Sequence, residues 1–170
     1  MAKLMNIIYV SKHGHTKRYA MMVAEKLGVN AYTPKEAKKA LQKNESIIFM
    51  THLFNARLQD YKKISKKYNI ETICAVGMSF YRETLIELIK VVNGLPEDFP
   101  LFYAQGGLNP RELNKIELFG VQMSLGAYNN IKEPTEEDYK TVDMLSNPAD
   151  YVEEEKLEDF YKYLLDETLQ

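Results

Sequence analysis

The sequence predicts an α/β domain, a parallel sheet covered by helices on both faces, and two observations carry that expectation. Short apolar runs rich in β-branched and aromatic residues recur at residues 4–10, 47–51, 70–76 and 99–103, the signature of strands buried on both faces. Between them run helical patterns about ten residues long, and strands alternating with such helices imply βαβ crossovers.

The first strand, through Ile7-Ile8-Tyr9-Val10, leads into a helix whose Ala20, Val23, Ala24 and Leu27 share one face and which Gly28 is placed to stop. Asn30-Ala31-Tyr32-Thr33 reads as a short strand before Pro34. Apolar stripes at Leu58, Tyr61 and Ile64, at Leu85, Leu88, Ile89 and Val92, and at Leu157, Phe160, Tyr161, Leu164 and Leu165 read as the core faces of later helices. The whole chain, 1–170, reads as one domain, and 105–150 as an insertion within it. There Gln105-Gly106-Gly107-Leu108-Asn109-Pro110 precedes a helical run over 111–127, followed by an acidic connection to Asn147-Pro148. Residues 118–125 are apolar nearly all round, which suggests burial within the fold first, or else a dimer contact or a surface that meets lipid or substrate.

Composition bounds the function. With 45% hydrophobic and 27% charged residues the chain falls in the soluble globular range, and no apolar run is long enough to cross a bilayer. The amino-terminal residues, Met1 through Val10, lead directly into a strand with no export signal. Cys74 is the single cysteine and sits in an apolar run, so a buried thiol and a reducing cytoplasmic location are expected. The net charge of -2 hides an asymmetry: residues 129–170 carry 13 acidic and 4 basic side chains, and 1–128 carry 11 acidic and 18 basic. The simplest expectation is that the acidic segment packs beside the basic body. The basic residues are scattered over several helical segments without interleaved aromatics, so no nucleic-acid role is read.

The chemistry lies in the first strand-to-helix turn, Ser11-Lys12-His13-Gly14-His15-Thr16. A helix amino terminus presents unpaired N–H donors and the positive end of the helix dipole, and the Ser11 and Thr16 hydroxyls add polar groups where an anion would sit. Gly14 allows a backbone turn that favours glycine. Ser and Thr are also ordinary helix caps, so the turn by itself leaves a plain capped helix open. His13, His15 and His52 lack a supporting Cys or carboxylate pattern, and no metal site is read.

Ile7, Ile8, Tyr9, Ser11, Gly14, Thr16, Ala20 and Val23 stand at the spacings of the flavodoxin signature, and the chain resembles that family. His15 departs from the asparagine usual there. The resemblance implies a flavodoxin-like, doubly wound five-stranded parallel sheet in the order 2-1-3-4-5. It also implies flavin mononucleotide (FMN) bound outside the carboxyl ends of the strands. Its phosphate would lie on Ser11, Lys12, His13, Gly14, His15 and Thr16. Two further loops would flank the ring, one with Leu53, Phe54, Asn55 and Ala56, the other with Gly77, Met78, Ser79, Phe80 and Tyr81. Flavodoxins often stack the ring with Trp and Tyr; this chain has no Trp, so Phe54, Phe80 and Tyr81 are the ring-stacking candidates.

The placement of the insertion is similar to that in bacterial flavodoxin-type protoporphyrinogen dehydrogenases. That likeness implies an FMN-dependent oxidoreductase that takes electrons from a porphyrin-like substrate, with Lys12, Arg57 and Arg82 available to propionates and peripheral membrane contact open. No catalytic residue is assigned, because flavin chemistry resides in the cofactor. The alternative is a flavodoxin-type electron carrier docking to a redox partner; its rim is commonly acidic, whereas this one reads as neutral to basic. A receiver-like signalling domain needs acidic residues after the first strand, and Ser11-Lys12-His13 supplies none.

Overall fold

The computed structural model describes residues 4–169; the reading of Met1, Ala2 and Lys3 lies outside them. The chain divides into two compact units, 4–105 with 152–169, and Gly106–Tyr151.

The first unit is built on five parallel strands: β1 (Asn6–Val10), β2 (Ala31–Tyr32), β3 (Ser46–Phe54), β5 (Asn69–Gly77) and β6 (Leu101–Gln105). Their order is β2-β1-β3-β5-β6, and each neighbouring pair is parallel. A two-residue strand, β4 (Arg57–Leu58), adds antiparallel to the end of β3. The expected strand at 99–103 is shifted two residues along, and Gln105 belongs to it rather than to the insertion.

Alternate side chains of each strand serve opposite layers, which is why the strands read as unbroken apolar runs. Ile7, Tyr9, Ile48, Met50, Cys74, Val76 and Ala104 pack on one face. The helices there are α1 (His15–Leu27), through Tyr19, Ala20, Val23 and Ala24, and α7 (Glu158–Leu169), through Phe160, Tyr161 and Leu164. Phe102 joins this layer with its ring centroid 5.1 Å from that of Phe160. Ile8, Ile47, Phe49, Ile73, Ala75, Leu101 and Tyr103 face the other way. They meet Ala37 of α2 (Pro34–Ala40), Ile64 of α3 (Tyr61–Ser65) and Ile89 of α4 (Glu83–Asn93). Two of the expected core positions, Leu88 and Leu165, are instead half exposed.

Helix ends follow local chemistry. Thr33 and Glu36 form a reciprocal capping box with Pro34 in the first turn of α2. Gly28 closes α1 at φ 65°, its left-handed conformation letting the Val29 N–H reach the Ala24 carbonyl at 3.0 Å.

The second unit corrects two expectations. A 3-10 turn (Pro110–Glu112) precedes α5 (Lys115–Asn129), and much of the acidic connection is itself a helix, α6 (Glu136–Ser146), begun by a Thr135/Asp138 capping box. The alternation of acidic and apolar residues there concealed a buried face of Thr141, Met144 and Leu145. A two-stranded ladder pairs β7 (Gly107–Leu108) with β8 (Ala149–Asp150). The apolar run 118–125 is not buried: in α5 only Val121 is, while Ile116, Phe119 and Met123 are 72%, 63% and 62% exposed. Among the described residues no helix is long and apolar enough to cross a membrane.

Candidate functional site at the carboxyl edge of the sheet

The chain leaves β1 toward β2 and leaves β3 toward β5, so the connections from these two adjacent parallel strands run in opposite directions. A crevice forms outside the carboxyl ends of strands at such a reversal, and ligands of open α/β sheets bind there. The three segments expected around a cofactor, after β1, β3 and β5, all emerge at this edge.

The first segment is Ser11–Gly14. Gly14 stands at φ 93°, ψ -16° as the residue that opens α1, and it brings no side chain to cap the helix. A Cβ there would meet nothing within 4 Å, so the need for glycine is conformational rather than steric. The Ser11 hydroxyl accepts the Gly14 N–H at 3.2 Å, which fixes the turn from within. Gly14 at the N-cap makes no side-chain hydrogen bond to the first turn of α1, and no acidic residue stands in that turn. Thr16 is 1% exposed, its side chain packed into the first turn of the helix. Lys12 and His13 lie exposed on the loop, and His15 is half-buried in the first turn. Tyr19, Ala20 and Val23, wholly buried one turn further on, hold the helix start in place.

The second segment is not a loop. β3 runs on to Phe54 and turns through Asn55 and Ala56, both left-handed at φ 49° and 59°, into β4. Two consecutive positive φ values are the signature of a tight hairpin turn. The correction has a local cause: Leu53 pairs with Leu58 and Phe54 with Arg57, and Leu58 buries itself in the core as the anchor. The hairpin is tied down by Asn93, whose Oδ1 accepts the Leu58 N–H at 3.0 Å while its Nδ2 donates to the Ala56 carbonyl at 2.8 Å. His52 Nδ1 lies 3.2 Å from the Val10 carbonyl, a hydrogen bond that requires the proton on Nδ1 and joins the ends of β1 and β3. Phe54 is left 40% exposed.

The third segment follows Gly77. Gln105 Nε2 donates to the Met78 carbonyl at 3.0 Å, and the Tyr103 hydroxyl donates to the Ser79 carbonyl at 2.6 Å. A Cβ on Gly77 would stand 2.9 Å from that hydroxyl, so a side chain there would displace the very group that holds the loop. Burial, with Tyr19 and Cys74 nearby, pushes the Tyr103 hydroxyl far above the ordinary phenol range, which keeps it a donor at all working pH values. Tyr81 at the end of this segment is 62% exposed, and Phe80 is half-buried.

The arrangement thus offers a helix terminus opened by glycine and two exposed aromatic rings, Phe54 and Tyr81, on neighbouring segments. The residues that position it, Asn93, Tyr103 and Gln105, carry no sequence signal of that role, because each acts on backbone more than twenty residues away. Comparison of the chain with protein families, with curated proteins and with solved structures gives no match.

Proposed function

We propose that the chain is an FMN-binding, flavodoxin-like oxidoreductase, with the sheet order β2-β1-β3-β5-β6 corresponding to 2-1-3-4-5 once the β4 stub is set aside. The observation that carries this reading is the amino end of α1 at the strand reversal, opened by a left-handed Gly14, free of acidic residues in its first turn and flanked by the Thr16 side chain. In this reading the first-turn N–H groups and Thr16 donate to the phosphate, Gly14 holds the turn open, and Lys12 adds positive charge. Phe54 and Tyr81 give the flat ring apolar surfaces, and the backbones of 53–56 and 77–81 meet its edge. Bound FMN would supply reversible electron transfer; the protein binds it, orients it and limits its contact with water.

An enzyme acting on a porphyrin-like substrate is the favoured form of this reading, by the likeness of the insertion's placement to that in flavodoxin-type protoporphyrinogen dehydrogenases. An electron carrier is the second reading, favoured by the exposure of Phe54 and Tyr81. The test is the visible spectrum of the purified protein and an FMN titration, on wild type, Thr16→Val and Gly14→Val. Retained flavin is expected in the wild type, with affinity about tenfold lower in Thr16→Val, the loss of one hydrogen bond to a charged group. A folded protein that retains no added FMN would overturn the assignment.

A further inference from the structure

We propose that the side of the first unit formed by α2 and α3 is a docking surface for anionic membranes, a role independent of the cofactor reading. The sequence disperses lysines over residues 33–69, but the fold gathers them: α2 and α3 both pack on the same sheet face, through Ala37 and Ile64. Lys35, Lys38 and Lys39 belong to α2, and Lys62 and Lys63 to α3, all exposed. The connections that follow add exposed Lys43, Lys66 and Lys67, and these are drawn together because the Asn44 N–H donates to the Lys67 carbonyl at 2.7 Å.

The charge of this surface is not neutralised locally. Residues 33–69 hold nine basic and three acidic side chains. Glu36 serves the Thr33 capping box, Glu45 holds Asn6 and the Gln42 N–H, and Asp60 stands at the start of α3, so nine basic against three acidic residues leave an excess of six positive charges. None of the eight lysines forms an ion pair among the described residues. The acidic residues of 153–166 stand with α7 on the opposite sheet face, where Glu154 pairs with Lys26 at 3.7 Å. For this part of the acidic segment, the expected packing beside the basic body is met on the α1 side of the sheet. The α2–α3 side carries a local positive excess, and a negatively charged plane would draw that side toward it.

The chemistry of the patch selects among polyanions. Its eight members are lysines, mobile point charges without the bidentate fork of arginine, and the tyrosines of α3 and its exit, Tyr61 and Tyr68, are half-buried and buried. No aromatic ring is therefore offered to stack on bases. A field of mobile ammonium groups suits a fluid layer of lipid headgroups, and a cluster of this size is the number that holds a protein at an anionic bilayer.

Sedimentation with vesicles reads this directly, using phosphatidylcholine alone and phosphatidylcholine with about one third phosphatidylglycerol. Binding is expected only to the anionic vesicles and is expected to fall steeply as salt rises. A variant combining Lys38→Gln, Lys39→Gln, Lys62→Gln and Lys63→Gln should partition at least about tenfold more weakly. A control combining Lys132→Gln, Lys140→Gln, Lys156→Gln and Lys162→Gln makes the same change in net charge and should shift binding by no more than about twofold. All eight substituted side chains are exposed, and unchanged circular dichroism would verify folding. The salt series on the wild type tests the electrostatic origin without any variant. Equal loss in both variants, equal binding to neutral vesicles, tighter binding to mixed-sequence duplex DNA at the same salt, or no binding at all would each overturn the proposal.

Discussion

Asn93 sets the position of a hairpin to which it does not belong. It is the last residue of α4, and besides holding Ala56 and Leu58 its Nδ2 donates to the Ile89 carbonyl at 2.7 Å. Asn93→Ala leaves the Leu58 N–H and the Ala56 carbonyl without these partners, and the expected destabilisation is about 1–3 kcal/mol. Hydrogen exchange should show faster exchange of the Leu58 amide, while Asn93→Asp, which keeps the acceptor, should protect it. Equal protection in all three proteins would remove Asn93 from this role. Gly14 makes a different demand: its Cβ space is empty, so Gly14→Ala should cost only the left-handed backbone penalty, about 1–2 kcal/mol, read as a lowered urea midpoint. Gly77→Ala should disturb the third segment through Tyr103 instead. The Gly14 turn was legible in the sequence because all of its parts lie within six residues. The Asn93 clamp was not, because nothing in a helix-terminal asparagine announces a partner 35 residues earlier.

Helical stripes in the sequence look alike, but α7 and α5 put theirs to different uses. On α7, Phe160 is 1% exposed and stacks near Phe102, whereas on α5 Phe119 is 63% exposed. Phe160→Ala should cost about 3–5 kcal/mol, because it removes a buried ring and leaves a cavity. Phe119→Ala should change stability by no more than about 0.5 kcal/mol. Urea unfolding of both variants measures the contrast, and comparable losses would mean that Phe119 is covered in solution. The sequence could not separate the two because periodicity reports which residues share a face, not whether a neighbouring layer exists to cover it. It was clearer for the strands, whose runs are apolar at every position because helices cover both sides. The end of β3 was read as a loop because a two-residue hairpin strand has no periodicity, and its Asn-Ala turn lacks the glycine that usually marks one.

Across the whole molecule the sheet and its helical layers were legible, since strand and helix patterns alternate in order along the chain. The separate grouping of Gly106–Tyr151 and the gathering of lysines by α2 and α3 depend on which segments meet in space, which no local pattern encodes. Burial of ionisable groups in that sheet also sets how the protein responds to alkali. Cys74, sealed between β3 and β6, has its thiol pushed from an ordinary 9.0 up to about 12 by burial. An unfolded chain releases this proton from about pH 9, while the folded chain holds it, so the unfolded state binds fewer protons and folding stability falls as pH rises. The slope for one such group is about 1.4 kcal/mol per pH unit, continuing until the folded thiol itself ionises near 12. Burial also raises the hydroxyls of Tyr9, Tyr61, Tyr68, Tyr103 and Tyr161, which add to the same slope, so the share of the thiol is read as the difference between wild type and a variant without it. Cys74→Ala should start somewhat less stable at neutral pH yet lose less stability per pH unit across this range. Urea unfolding at a series of pH values compares the two slopes, and parallel lines would show that the thiol ionises as readily in the folded chain as in the unfolded one.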